Sequence, residues 1–138
     1  MILYLFLLNF FIFHEQTKFD LKFKISNIRY SGKMYFALYD NPVDFNSKDE
    51  SIKNMKLVIR EIVNPNVHEL ELKVENGNYA VKIYIDKNSN QKFDTNFFGF
   101  PTEQFGFSND VIGIIGPPSF EKASFLVNNN KSIEIKMK

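Results

Sequence analysis

Oxygen-bearing side chains recur at every second position where one hydrophobic run ends: Asp86, Asn88 and Asn90, with Asp94 following. A hard cation such as Ca2+ takes about six to eight oxygens, and a loop offering carboxylate or amide groups in this rhythm wraps them around one point. Asp86, Asn88 and Asn90 fall at positions 1, 3 and 5 of such a loop, Lys92 would give its carbonyl at position 7, and Asp94 stands at position 9. Two parts of the pattern are missing. Gln91 takes the place of the glycine that eases the turn, and Phe97 that of the bidentate glutamate. Glu103 or Asp110 could fold back to supply the lost carboxylate. Only Asp86 and Asp94 among the side-chain ligands are charged, so a Ca2+ site here would be weak, roughly 10⁻⁴–10⁻³ M. The competing reading is a set of Asx turns capping a strand end, which an Asn-rich chain forms readily.

Beyond Asp94 the chain carries Phe97, Phe98, Phe100, Phe105 and Phe107 among Gly, Pro and Asn, with no helical or alternating pattern. Residues 86–120 therefore read as one long insertion, and so many aromatics predict that it is ordered by packing on itself. The same rings could instead form an apolar patch for a glycan, peptide or lipid. Phe lacks the polar handle that suits Tyr and Trp to wet interfaces, which favours packing. Ser108 and Asn109 are expected to satisfy backbone groups, and 116–118 to fix the re-entry into the sheet.

Catalysis has little to stand on. His68 is the one histidine beyond the first sixteen residues, far in sequence from the loop and without a nucleophile elbow. Asp86, Asp94, Glu103 and Asp110 could in principle supply a hydrolytic carboxylate pair, but their spacing does not define a separation. The chain is expected to be non-catalytic, with a carbohydrate-binding or hydrolytic accessory protein as the alternative.

The elements that must position these residues fit one domain of 138 residues. A net charge of +1, spread along the strands, gives no footprint for nucleic acid. With no Cys there is neither a disulfide nor a thiolate metal site. The apolar run from Ile2 to Phe13 is too short for a transmembrane helix and suits a secretory leader over 1–16, predicting a periplasmic or extracellular protein. An uncleaved anchor or a buried first strand would fit the same run.

From Phe19 the pattern has period two: Phe19, Leu21, Phe23 and Ile25 alternate with Asp20, Lys22 and Lys24. Residues 33–39 are apolar on both faces, as in a central strand, and stop at Asp40-Asn41-Pro42. A polar connection follows, with Val43 and Phe45 as candidate pins to the core. Strands are expected over 55–63, 69–74 and 79–85, and a last pair over 123–127 and 132–137 as a hairpin through Asn128-Asn129-Asn130. About seven short strands without helical periodicity predict an all-β, antiparallel two-sheet sandwich, immunoglobulin- or transthyretin-like, over 17–138. Gly77-Asn78-Tyr79 is either a tyrosine corner, its hydroxyl bonded back to upstream backbone, or an ordinary core tyrosine.

The run G-x-Y-A-V-x-I-Y-x-D-x-N-x-N-x-x-x-D-x-N-x-x-G-x-P, then G-F-S-N (106–109) and G-P-P-S-F (116–120), resembles the secreted bacterial domain-of-unknown-function family 2141. So do A-L-Y-D (37–40) and the leader. The resemblance implies an exported β-sandwich without an assigned activity, acting as a binding or envelope-associated module whose partner would be a glycan, a peptide or an envelope protein. Members carry His before the loop Asp and Gly within the loop. This chain has Ile85 and Gln91 there, so it inherits no role for that His and a weaker metal site.

Overall fold

In the computed structural model, residues 17–48 and 54–138 are described; the expected leader over 1–16 lies outside them. Alternation produces the first strand directly. In β1 (Lys18–Ile28) the side chains of Leu21, Phe23 and Ile25 are buried while Lys22 and Lys24 face solvent. β2 (Gly32–Tyr39) buries residues on both faces and lies between β3 (Leu57–Val63) and β5 (Gly77–Asp86), as its two-sided apolar pattern requires. β4 (Asn66–Glu75) pairs with β1, and the remaining strands are β6 (Phe105–Phe107), β7 (Phe125–Val127) and β8 (Lys131–Lys136).

Two sheets result. One has the order β4-β1-β8; the other runs β3-β2-β5-β6, with β7 also paired to β5. All pairings are antiparallel except β1 with β8. The fold is thus an all-β, two-sheet sandwich. Between the sheets, Leu21, Phe23 and Ile25 meet Met34, Phe36, Leu38, Val81, Ile83 and Ile85, and Ile135 and Met137 complete the layer. Phe23 sits edge-on to Phe36 at 4.9 Å and to Phe125 at 6.2 Å, the arrangement that ring quadrupoles favour.

The last two strands do not form the expected hairpin. β7 pairs with the start of β5 (Tyr79 opposite Phe125), whereas β8 lies parallel to β1 in the other sheet (Phe23 opposite Ile133). Asn128-Asn129-Asn130 therefore crosses between sheets, because the open edge of β1 accepts β8 more readily than the three-residue β7 could. Ala123 belongs not to a strand but to a short helix, α2 (Phe120–Ala123).

The connection after β2 contains another, α1 (Pro42–Asn46), started by Asn41, whose Oδ1 accepts the Asp44 N–H at 2.9 Å, and by Pro42 in the first turn. Phe45 pins it as expected, packed between Tyr39 and Phe120; Val43 does not, being 78% exposed. Ala37, Tyr39, Phe45, Ala80, Phe120 and Ala123 make a second small core on the outer face of the larger sheet.

Nor is 86–120 a single insertion. It returns to β5 as β6, leaving two excursions, 87–104 and 111–119, at opposite ends of β6. Gly106 permits that return, since a Cβ there would stand 3.0 Å from Ile135 and 3.1 Å from Met137.

Candidate functional site

Asp86 is the last residue of β5 and is fully buried, at 0% exposure. Its carboxylate turns the chain back on itself: Oδ1 accepts the Asn90 N–H at 3.2 Å and Oδ2 the Gln91 N–H at 2.8 Å. Asn88 Oδ1 accepts the Asn90 N–H and Asn90 Oδ1 the Lys92 N–H, two successive Asx turns. Both amide nitrogens then donate to Asp94, at 2.6 Å from Asn88 and 2.9 Å from Asn90. Ser89 and Gln91 hold φ of 63° and 64°, so Gln91 does adopt the left-handed conformation for which glycine is the usual choice.

Glu103 folds back as expected. Buried beside the loop, it accepts the Lys87 N–H through Oε1 at 2.8 Å and the Asp94 N–H through Oε2 at 3.2 Å, stitching the two ends of the turn together. Asp110 does not join it: its Oδ1 accepts the Lys136 N–H at 2.7 Å and ties the chain after β6 to β8. Lys92 enters through its N–H and exposes its side chain. The oxygens of Asp86, Asp94 and Glu103 all accept N–H groups of the loop. Among the described residues, no three Asp, Glu or His side chains are grouped as a metal would need.

Two residues without any motif lock the return of this loop. Gln104 is buried, donates to the Asn27 carbonyl at 2.9 Å and accepts the Arg29 N–H at 2.7 Å, while its own N–H donates to the Tyr30 hydroxyl. Burial pushes the Tyr30 phenol above its ordinary pKa, against the Gln104 N–H, which favours the ionised form. Their nearest sequence signal is a polar Gln just before an aromatic strand.

The five expected patch phenylalanines divide. Phe105 and Phe107 lie in β6, half-buried, with Phe93 from the loop against Phe105 at 5.9 Å. Phe97, Phe98 and Phe100 stand at the tip, 97%, 79% and 67% exposed. The expectation that they pack into a core of the loop's own is thus wrong for these three; Phe97 and Phe98 touch only edge-to-face, at 5.5 Å. Their backbone is nevertheless fixed. Asn96 Oδ1 accepts the N–H groups of Phe98 and Phe100, each at 3.0 Å, and Gly99 turns the chain at φ 82°. The tip orders itself by hydrogen bonds and leaves its three rings in solvent, while Phe93 at the loop's base packs on Tyr84 and Phe105.

Residues 24–136 match the family model described as "Uncharacterized protein conserved in bacteria (DUF2141)". The chain belongs to this family. No curated protein and no solved structure matches it. The matched span of this DUF2141 chain takes in both sheets, the oxygen-rich loop and G-F-S-N. In that last block the buried Ser108 accepts the Val81 N–H at 2.9 Å and donates to the Ala123 carbonyl at 2.6 Å, while Asn109 donates to the carbonyls of Lys122 and Ser124. Both side chains satisfy backbone, and the motif is architectural. Tyr79 likewise donates to the Glu75 carbonyl at 3.0 Å, the bond of a tyrosine corner. His68 pairs with Glu61 at 2.7 Å across the edges of the two sheets.

Proposed function

We propose that this DUF2141 chain is an exported, non-catalytic binding domain of the bacterial envelope that docks through the tip of its 87–104 loop. The observation that carries the reading is the exposure of Phe97, Phe98 and Phe100 on a backbone held by Asn96, Glu103 and Gln104. Apolar rings on a pre-ordered loop lose little entropy when covered, the economy by which rigid aromatic anchors bind. Phe offers no hydroxyl or indole N–H, so the partner is an apolar surface on an envelope protein or peptide rather than a neutral glycan. The Ile2 to Phe13 run supports export to the periplasm or the cell exterior.

The test is a full chain with Phe97→Ser, Phe98→Ser and Phe100→Ser together. Expected is loss of retention on washed envelopes of the source bacterium with stability within about 0.5 kcal/mol of the parent, as for exposed positions. A large drop in melting temperature, or unchanged retention, would sink the docking role.

A second reading concerns the same loop. Asp86, Asn88, Asn90 and Asp94 share one hydrogen-bonded turn, and Glu103 returns to accept the Lys87 and Asp94 N–H groups at its two ends. A weak structural Ca2+ site is proposed there, formed once the Asn88 and Asn90 amides turn their oxygens inward. Calcium at ten times its dissociation constant would add about 1.4 kcal/mol over chelator. An identical melting curve in both would leave the hydrogen bonds alone in charge of the loop.

A further inference from the structure

Between Asp110 and Ser119 lies a run in which no side chain can make a hydrogen bond: Val111-Ile112-Gly113-Ile114-Ile115-Gly116-Pro117-Pro118. Both of its ends are fixed. Val111 packs on the second small core and Pro118 is buried, while the Asp110 carboxylate accepts the Lys136 N–H and the Phe120 N–H donates to Asn46 of α1 at 3.0 Å. Between these anchors Ile114 and Ile115 stand 94% and 95% exposed, and Ile112 more than half so.

The turn that presents them closes on its own glycines. A Cβ on Gly113 would overlap the Gly116 carbonyl oxygen, and Gly116 takes a φ of 78°, so a side chain at either position would force the turn open. Pro117 and Pro118 follow, with no N–H to desolvate. The shape is set before anything binds, which lowers the entropy lost on contact. Protein partners are gripped by Tyr, Trp and Arg anchors ringed by hydrogen-bonding groups, whereas this run offers aliphatic carbon alone. Lipid acyl chains require nothing else. A bilayer also takes such a loop without stranding its carbonyls, since the side chains reach the acyl boundary while the backbone stays in the wet headgroup layer.

Placement in the sandwich favours the same occupant. β1 begins at Lys18 opposite Glu75, whose carbonyl accepts the Tyr79 hydroxyl, and Tyr79 lies opposite Phe125, just after α2. Residues 1–16, with the apolar Ile2 to Phe13 run, therefore join the domain at the end where the aliphatic turn leads into α2. The Phe97–Phe98–Phe100 loop leaves β5 from the other end, at Asp86. We infer that Ile112, Ile114 and Ile115 dip into the apolar layer of a lipid bilayer, as a second contact beside the 2–13 run. One weak membrane contact gives marginal, reversible binding, and two give a stable one. The phenylalanine tip then lies at the end away from the lipid, and the inference does not rest on its role.

The test mixes the full chain, residues 1–16 included in parent and variants alike, with protein-free vesicles of phosphatidylcholine or of phosphatidylethanolamine with phosphatidylglycerol. Expected is partitioning into both that salt leaves largely unchanged, because the loop carries no charge. It should fall about tenfold or more in Ile114→Ser with Ile115→Ser, since half the burial of two isoleucines is enough for that factor. The chain has no Trp, so Ile115→Trp gives a single reporter whose emission should move to the blue on vesicles and be quenched by lipids brominated in their acyl chains. Phe98→Trp should do neither, and the tip triple variant should partition as the parent does. Water-like emission of Ile115→Trp on vesicles, an unaffected serine double variant, partitioning abolished by salt, or a dimer of the parent that the serine double variant dissolves would each overturn the inference.

Discussion

The outer faces of the two sheets are built by the same alternation and end with opposite character. On the smaller sheet, Lys22 faces Glu71 and Lys24 faces Glu134 across the strands, each pair at 3.6 Å and well exposed. Charge is cancelled in place, and the face is simply wet. On the larger sheet the corresponding cross-strand row is Arg60, Tyr35 and Tyr84, with the guanidinium over the Tyr35 ring at 5.5 Å and the two tyrosines stacked at 4.7 Å. The difference teaches that a sandwich can balance the charge of an outer face in two ways. One face sets cation against carboxylate, whereas the other lays its cations over rings, Arg60 on Tyr35 and Lys82 on Tyr39 and Phe45.

That contrast is sharpest if stability resides on the inner faces and neither outer one. Phe36→Ala, which opens a cavity beside Phe23, should cost about 3–5 kcal/mol in denaturant unfolding. A loss under 1 kcal/mol would mean that the inner layer is not the shared foundation of both sheets. Ser108→Ala should cost about 1–3 kcal/mol, because the buried Val81 N–H loses its acceptor at the point where β5 changes partners from β7 to β6. Cysteine or threonine at 108 should recover part of that loss if the hydrogen bond, rather than volume, is responsible.

Tyr79→Phe should cost about 1 kcal/mol by removing the corner bond. It also carries a pH signature. Burial raises the Tyr79 and Tyr30 phenols above 10.0, so the unfolded chain gives up these protons first. Their contribution is complete below pH 10 and fades as pH climbs through the folded values; Tyr79→Phe should flatten that alkaline decline. The smallest expected effect belongs to the neutral face itself. A Lys22/Glu71 double-mutant cycle should give a coupling of about 0.5 kcal/mol or less, fading with salt. A coupling of 2 kcal/mol or more, outside the usual range for exposed pairs, would make the ladder structural and blunt the comparison.

Much of this was legible in the chain. The alternation around Leu21, Phe23 and Ile25, the two-sided 33–39 run, the corner at Tyr79 and the turn opened by Asp86 all follow from local rules: period, breakers, and side chains that bond their own backbone. That Glu103 rather than Asp110 returns to the loop, and that it does so to accept the Lys87 and Asp94 N–H groups, was not legible. Less visible was that Phe97, Phe98 and Phe100 stay in water, since hydrophobicity alone reads them as packing residues and the bonds from Asn96 that fix the loop without them are geometric.

What the amino-acid order determined by itself is the set of strands other than β6, because a period of two and the turn residues between runs act over a few positions. Partnership was decided elsewhere. Whether β8 folds against β7 or crosses to β1, and whether Tyr35 meets Arg60 and Tyr84, depends on which edges are open and in what register they close. Those choices are settled among residues far apart in sequence, where burial of one common layer outweighs any local preference.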